Sequence, residues 1–196
     1  MVKERIILGI DPGTMVMGYS LILQKDKHLS LLRMGVLKLK QYDNQALKLK
    51  KIFERVLEII DEYHPDELAI EAPFFGKNVQ SMLKLGRAQG VAMAAALYRD
   101  IPIFEYSPRK IKQSITGNGA ASKEQVALML QKIIKFDNLP DFLDATDATA
   151  AAVCHYFQRD INLIDNNAEK TVKIPKGKKS FNSWSSFISD NPDKIL

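Results

Sequence analysis

A chain of 196 residues that is 46% hydrophobic can bury one substantial core, so a single domain with a tail is expected and a second full domain does not fit. The formal charge of +5 favours a polyanionic partner without specifying one. The single Cys154 excludes an internal disulfide framework, no run of about 18 apolar residues marks a membrane span, and Met1–Arg5 leads straight into a short strand rather than a signal peptide, so a reducing cytoplasm is the expected compartment.

Apolar and β-branched runs at about 5 to 10, 17 to 23 and 29 to 37, separated by Pro12-Gly13 and Gln24-Lys25-Asp26-Lys27, predict a three-stranded antiparallel meander. The period then changes. From Asn44 to Tyr63 the apolar positions Leu47, Leu49, Ile52, Phe53, Val56, Leu57, Ile59 and Ile60 fit an amphipathic helix ended by His64-Pro65. A strand over 67–71 follows, then a loop carrying Phe74 and Phe75, a helix from about 79 to 99, and a short strand at Ile103–Tyr106. Two more helices are predicted, one starting near Ser122, whose spacing to Gln125 fits a capping box, and one from about Pro140 to Phe157. Strands first and strand–helix alternation afterwards predict an α/β fold, a mixed five-stranded sheet with an antiparallel meander and helices on both faces.

The expected domain spans residues 1–160, and 161–196 differ in composition. Asn162–Asn167 reads as a linker, and Lys170, Lys173, Lys176, Lys178 and Lys179 put five lysines into ten residues with no acid among them, the mark of a solvated, disordered tail able to touch phosphate. Phe181, Trp184, Phe187 and Ile188 then form an aromatic cluster suited to docking on the body or on a partner. In the 79–99 helix, Gly86, Gly90, Ala92, Ala94, Ala95 and Ala96 are unusually small, and each internal Gly costs about 1 kcal/mol against Ala, so close helix packing is the expected compensation.

Four acids carry the chemistry. Asp11 closes the first apolar run and opens the turn Asp11-Pro12-Gly13-Thr14, Glu71 closes Leu68-Ala69-Ile70, and Asp144 and Asp147 lie three apart on one helix face. Each alone has an ordinary explanation, as a turn residue or an exposed helix acid. Glu71 is harder to dismiss, because an acid ending an apolar strand is costly to bury unpaired. The apolar flank Ala148–Val153 likewise implies a buried helix around Asp144 and Asp147. Gathered together, four carboxylates repel one another unless cations fill the site, and hard oxygen donors suit Mg²⁺ or Mn²⁺. Two such ions about 4 Å apart hold the attacking and leaving oxygens of a phosphodiester cleavage. His155 lies eleven residues, about 16 Å, along the helix from Asp144 and is no ligand of that site; Cys154 reads as a buried small side chain.

Over residues 4 to 158 the chain resembles the RuvC family of bacterial Holliday-junction resolvases, ribonuclease H-like nucleases. The resemblance rests on Gly9-Ile10-Asp11-Pro12-Gly13-Thr14, Ala69-Ile70-Glu71, Lys77-Asn78, Leu83-Lys84-Leu85-Gly86-Arg87-Ala88-Gln89-Gly90 and Asp144-Ala145-Thr146-Asp147-Ala148, in that order. It implies that Asp11, Glu71, Asp144 and Asp147 hold two Mg²⁺ per subunit, with Mn²⁺ as a substitute, and that cleavage leaves 5′-phosphate ends. It also implies that Lys112 and Lys123 sit near the scissile phosphate, where cations offset developing charge, although both also read as surface lysines. Phe74 matches a position that stacks on bases at the junction centre, worth about 1 to 3 kcal/mol; Lys77, Asn78, Lys84 and Arg87 are implied DNA contacts. The implied assembly is a homodimer formed through the 79–99 region, cutting opposite strands of a four-way junction beside a branch-migration complex, RuvA and RuvB.

Other readings compete. An actin- or chaperone-like ATPase also places Asp-x-Gly-Thr after its first strand, but needs a second such loop and a longer chain. A junction binder without catalysis would lack one of the four carboxylates, and none is missing. A ribonuclease H-like nuclease acting on RNA keeps the fold and metals; the Leu83–Gly90 match and Phe74 favour DNA instead.

Overall fold

The computed structural model describes residues 4–73, 78–134 and 143–168. Strands β1 (Glu4–Asp11), β2 (Val16–Lys25) and β3 (His28–Lys38) form the predicted antiparallel meander, each somewhat longer than its apolar run. They are followed by α1 (Gln45–Tyr63), β4 (Glu67–Glu71), α2 (Val79–Leu97), β5 (Ile103–Tyr106), α3 (Pro108–Thr116), α4 (Lys123–Ile134) and α5 (Leu143–Ala168). The sheet order is β3-β2-β1-β4-β5, with β4 parallel to both β1 and β5. In these parallel ladders Ile10 lies beside Ile70 and Glu71 beside Tyr106, so Asp11 and Glu71 emerge together at the C-terminal ends of adjacent strands.

Alternation along the strands sends side chains to two cores. On one face Leu8, Ile10, Met17, Tyr19, Leu21, Leu68 and Ile70 pack against Ile52, Val56, Ile59 and Ile60 of α1 and Ala88, Ala92, Ala95 and Ala96 of α2. On the other, Ile7, Ile22 and Ala69 meet Ile111 and Ile115 of α3, Val126 and Leu130 of α4, and Ala150 to Cys154 of α5. Helices thus cover both faces, as expected.

The helix ends follow local chemistry. Asn44 caps α1 by accepting from the Ala46 and Leu47 amides, and His64 ends it in the left-handed region. At α4 the capping box closes, the Ser122 amide donating to Gln125 Oε1 at 2.9 Å and the Gln125 amide to Ser122 Oγ at 3.3 Å.

Two expectations need correction. Three helices follow β5 rather than two: α3 is short, but Ser107 caps it, Pro108 occupies its first turn and Gly117 ends it at φ 75°. The stretch 162–167 is the continuation of α5, which lacks any Gly or Pro from 143 to 168 and so has nothing to stop it near Phe157. The chain divides at Asn162/Leu163 into two units, and of the second only Leu163–Ala168, helical, lies among the described residues. Of the two places where close packing of the 79–99 helix could occur, within the chain or against a second copy, the described residues do not supply the first around Gly86 and Gly90: a Cβ at either would meet nothing within 4 Å, whereas Ala88, Ala92, Ala95 and Ala96 make the contacts. The tail lysines, the cluster at Phe181, Trp184, Phe187 and Ile188, and residues 140–142 of the helix predicted from Pro140 lie outside the described residues.

Candidate active site

The site is assembled by a close approach of α5 to the sheet. A Cβ on Gly18 of β2 would lie 1.9 Å from the Asp144 carbonyl oxygen, and one on Gly9 of β1 would lie 2.0 Å from that of Ala148. Only glycine lets the helix backbone settle so near these strands. Small Ala145, Ala148, Ala151 and Ala152, all essentially buried, continue the contact. The first turn of α5 is thereby laid over the end of β1, bringing Asp144 and Asp147 to Asp11.

Asp11, Glu71, Asp147, Lys112 and Lys123 line one cleft, with Pro108, Ile111, Val126 and Ala150 as its apolar walls. Lys112 comes from α3 and Lys123 from the first turn of α4; the Lys123 ammonium is bonded to Asp147 Oδ2. Burial, and then repulsion from Glu71, Asp147 and Asp144, hold the Asp11 carboxyl well above the usual carboxylate range, against the pull of Lys123. Glu71 is pushed up to about 7 by burial and by Asp147, with Lys123 and Lys112 opposing. Burial lowers the Lys123 ammonium, but its hydrogen bond to Asp147 and the charges of Asp147, Asp11 and Asp144 outweigh that and leave it raised.

Among the described residues, no three His, Cys, Asp or Glu side chains are gathered tightly enough to hold a metal ion. The donor set nonetheless fits a hard divalent cation: it is all oxygen, burial and mutual repulsion raise Asp11 and Glu71 in a way that a divalent cation would relieve, and a cation, the Lys123 ammonium, already sits on Asp147.

The other predicted site residues separate. Phe74 and Lys77 lie outside the described residues. Asn78 caps α2, its Oδ1 accepting from the Ser81 amide at 3.0 Å. Lys84 and Arg87 are exposed on α2, Arg87 beside a shallow groove with Pro73, Val79, Met82, Leu83 and Gly86. His155 has both ring nitrogens engaged, Nδ1 with the Tyr106 hydroxyl at 2.7 Å and Nε2 with Glu67 at 2.9 Å, consistent with its exclusion as a ligand; Cys154 is buried. Pro108 was not singled out from sequence, although it lines three adjoining clefts; the Ser107-Pro108 helix start was its signal.

A five-stranded mixed sheet of this order, with acids ending its two central parallel strands and a third element laid across them, defines a ribonuclease H-like nuclease. The chain belongs to the RuvC family: residues 7–155 match the family model of Crossover junction endodeoxyribonuclease RuvC. It is 59% identical over 192 residues to the crossover junction endodeoxyribonuclease RuvC of Cytophaga hutchinsonii, covering 98% of this chain and 88% of that one. To the Bacteroides fragilis protein of the same name it is 56% identical over 196 residues, covering 99% and 97%. Among solved structures, Thermus thermophilus RuvC in complex with Holliday junction substrate superposes with a TM-score of 0.76 at 31% identity, covering 81% of this chain and 96% of that one. The yeast mitochondrial Holliday junction resolvase Ydc2, at 15% identity and a TM-score of 0.63 over 85% of this chain and 84% of that one, shares the fold.

Proposed function

We propose that this protein resolves Holliday junctions by metal-dependent phosphodiester cleavage, with Asp11, Glu71, Asp144 and Asp147 as the acids of its site and Lys112 and Lys123 as the cations facing the scissile phosphate. The observation that carries this reading is the meeting of Asp11, Glu71 and Asp147 with both lysines in one cleft, in a chain of the RuvC family.

The chemistry follows from charge. The four carboxylates are the groups that would hold divalent cations, two Mg²⁺ or Mn²⁺ per subunit. Bound ions supply activation of the attacking water and stabilisation of the departing 3′ oxygen. Lys123 is kept protonated by Asp147 and presents its positive charge at the cleft mouth, where negative charge builds on the phosphate as the bond breaks. Lys112 does the same from α3. The apolar walls Ile111, Val126 and Ala150 keep the local dielectric low, which strengthens each of these interactions. Products carry 5′-phosphate ends.

Cutting both strands of a symmetric junction requires two sites, and a twofold homodimer supplies them. Along α2 an outward stripe of Val79, Leu83, Gly86, Gly90, Ala94 and Leu97 has no partner within the described chain, and its two glycines allow a second helix to approach closely. The protein works in the cytoplasm beside a branch-migration complex; among the described residues no helix is long and apolar enough to cross a membrane.

The test is Mg²⁺-dependent cleavage of a synthetic mobile four-way junction beside linear duplex and RNA–DNA hybrid, with Asp11→Asn as control. Paired, ligatable nicks in the junction alone, lost in Asp11→Asn, are expected. Preferential cutting of the hybrid would move the reading to RNA processing, and binding without cutting to a non-catalytic role.

A further inference from the structure

Beside the carboxylate cleft lies a second one, lined by Pro108, Arg109 and Lys112 of α3 and by Asn118, Gly119 and Ala120 of the loop before α4. The two clefts share Pro108 and Lys112, so Lys112 stands between the acids on one side and Arg109 on the other. Among the described residues no acid lines this second cleft, and neither Arg109 nor Lys112 forms an ion pair. Arg109, with no ion-pair partner among the described residues, and Lys112, which faces the acids across the shared wall, put two cations in one concave site and favour an anion there.

Arg109 is also seated. A Cβ on Gly119 would fall 2.7 Å from Arg109 Cγ and 3.3 Å from its Nε, so the arginine stem lies directly across the glycine backbone. The loop beneath is tied down: the Asn118 amide donates to Thr116 Oγ1 at 3.1 Å, the Thr116 hydroxyl shares its one hydrogen between the Lys112 carbonyl at 2.8 Å and the Asn118 carbonyl at 3.0 Å, and the Ala120 amide donates to Asn118 Oδ1 at 2.9 Å. An arginine held this way has spent part of its conformational entropy before it meets a ligand, and its forked donors match two phosphate oxygens at once.

We propose that Arg109, seated on Gly119 and working with Lys112, binds a backbone phosphate adjoining the scissile one on the strand being cut. This rests on the nuclease reading above and deepens it: Lys112 serves the scissile phosphate from one side, and Arg109 fixes the next phosphate, so the strand is registered at two points across the acids. Phosphate contacts of this kind position nucleic acid without reading its sequence.

The experiment measures junction binding in EDTA for wild type, Arg109→Ala, Gly119→Ala and the double variant, on junctions carrying single neutral methylphosphonates at each position flanking the cut. Arg109→Ala is expected to weaken binding about tenfold on every junction sequence and to lower the salt dependence of log K by about one phosphate contact. Gly119→Ala should do the same by displacing the arginine stem, and the double variant should be no worse than Arg109→Ala alone. One methylphosphonate beside the cut should weaken wild type yet leave Arg109→Ala unaffected. If wild type binds and later cuts the unmodified junction while Arg109→Ala binds as wild type does, or loses equally at every methylphosphonate, the subsite is wrong and the nuclease reading stands. If wild type neither binds nor cuts the junction, both fall.

Discussion

Glu71 holds a proton that it would give up in the unfolded chain. Its carboxyl ionises near 4.5 when unfolded and at about 7 when folded, so the folded protein binds the extra proton between those values. Stability contributed this way is lost as pH rises through that window, unchanged below it and fully lost above it. The displacement corresponds to about 3 kcal/mol, and raised Asp11 acts in the same direction. In EDTA, Glu71→Gln is therefore expected to be more stable than wild type at pH 8, by up to about that amount, with the difference closing below pH 4.5; parallel denaturation curves for the two proteins across pH would contradict it. Lys123 has the opposite role. Lys123→Ala removes the cation on Asp147, so it should slow single-turnover cleavage on the order of 100-fold while junction affinity changes only a few-fold, a split visible by comparing cleavage rate with filter binding. The acids were legible in sequence because Asp11 and Glu71 end apolar strands and Asp144 and Asp147 share one face at the start of an alanine-rich helix. The Lys123–Asp147 pair was not, since it joins residues 24 positions apart through the packing of α4 on α5.

At the scale of elements, the site depends on where α5 comes to rest. Gly18→Ala would drive a methyl group into the Asp144 carbonyl, 1.9 Å away, so the first turn of α5 must lift. The expected cost is about 1–3 kcal/mol of unfolding free energy together with loss of cleavage beyond what the lost stability explains; wild-type melting and cutting would show that the helix is not seated as described. Nothing local marks Gly9 and Gly18 for this duty, because each is ordinary in a strand until α5 arrives from more than a hundred residues away. The missed α3 has a different cause. Its nine residues bury only Ile111 and Ile115, too few for an apolar period to stand out, and only its caps announce it. Period and capping sufficed for α1 and α4, where apolar spacing and terminal chemistry agree.

For the whole molecule, the succession of strands and helices along the chain was legible from the switch between alternating and helical periods, and the two covered faces from strand–helix alternation after the meander; the order of strands in the sheet came only with the structure. Assembly was readable only in outline. The glycines of α2 suggested close packing, but the described chain leaves Gly86 and Gly90 open. In the proposed dimer a partner helix covers that stripe. Light scattering is expected to give about twice the 22.1 kDa chain mass, and Leu83→Glu, on a residue 52% exposed in the single chain, should give the monomer and convert paired nicks into single ones; a wild-type monomer at assay concentration would refute the dimer. The central claim remains the four-carboxylate site. Its most direct test is single-turnover cleavage of a four-way junction in Mg²⁺ by Asp11→Asn, Glu71→Gln, Asp144→Asn and Asp147→Asn, with binding measured in parallel. Each variant is predicted to bind within a few-fold of wild type and to cut on the order of 100-fold or more slowly; any one that cuts at the wild-type rate contradicts the account.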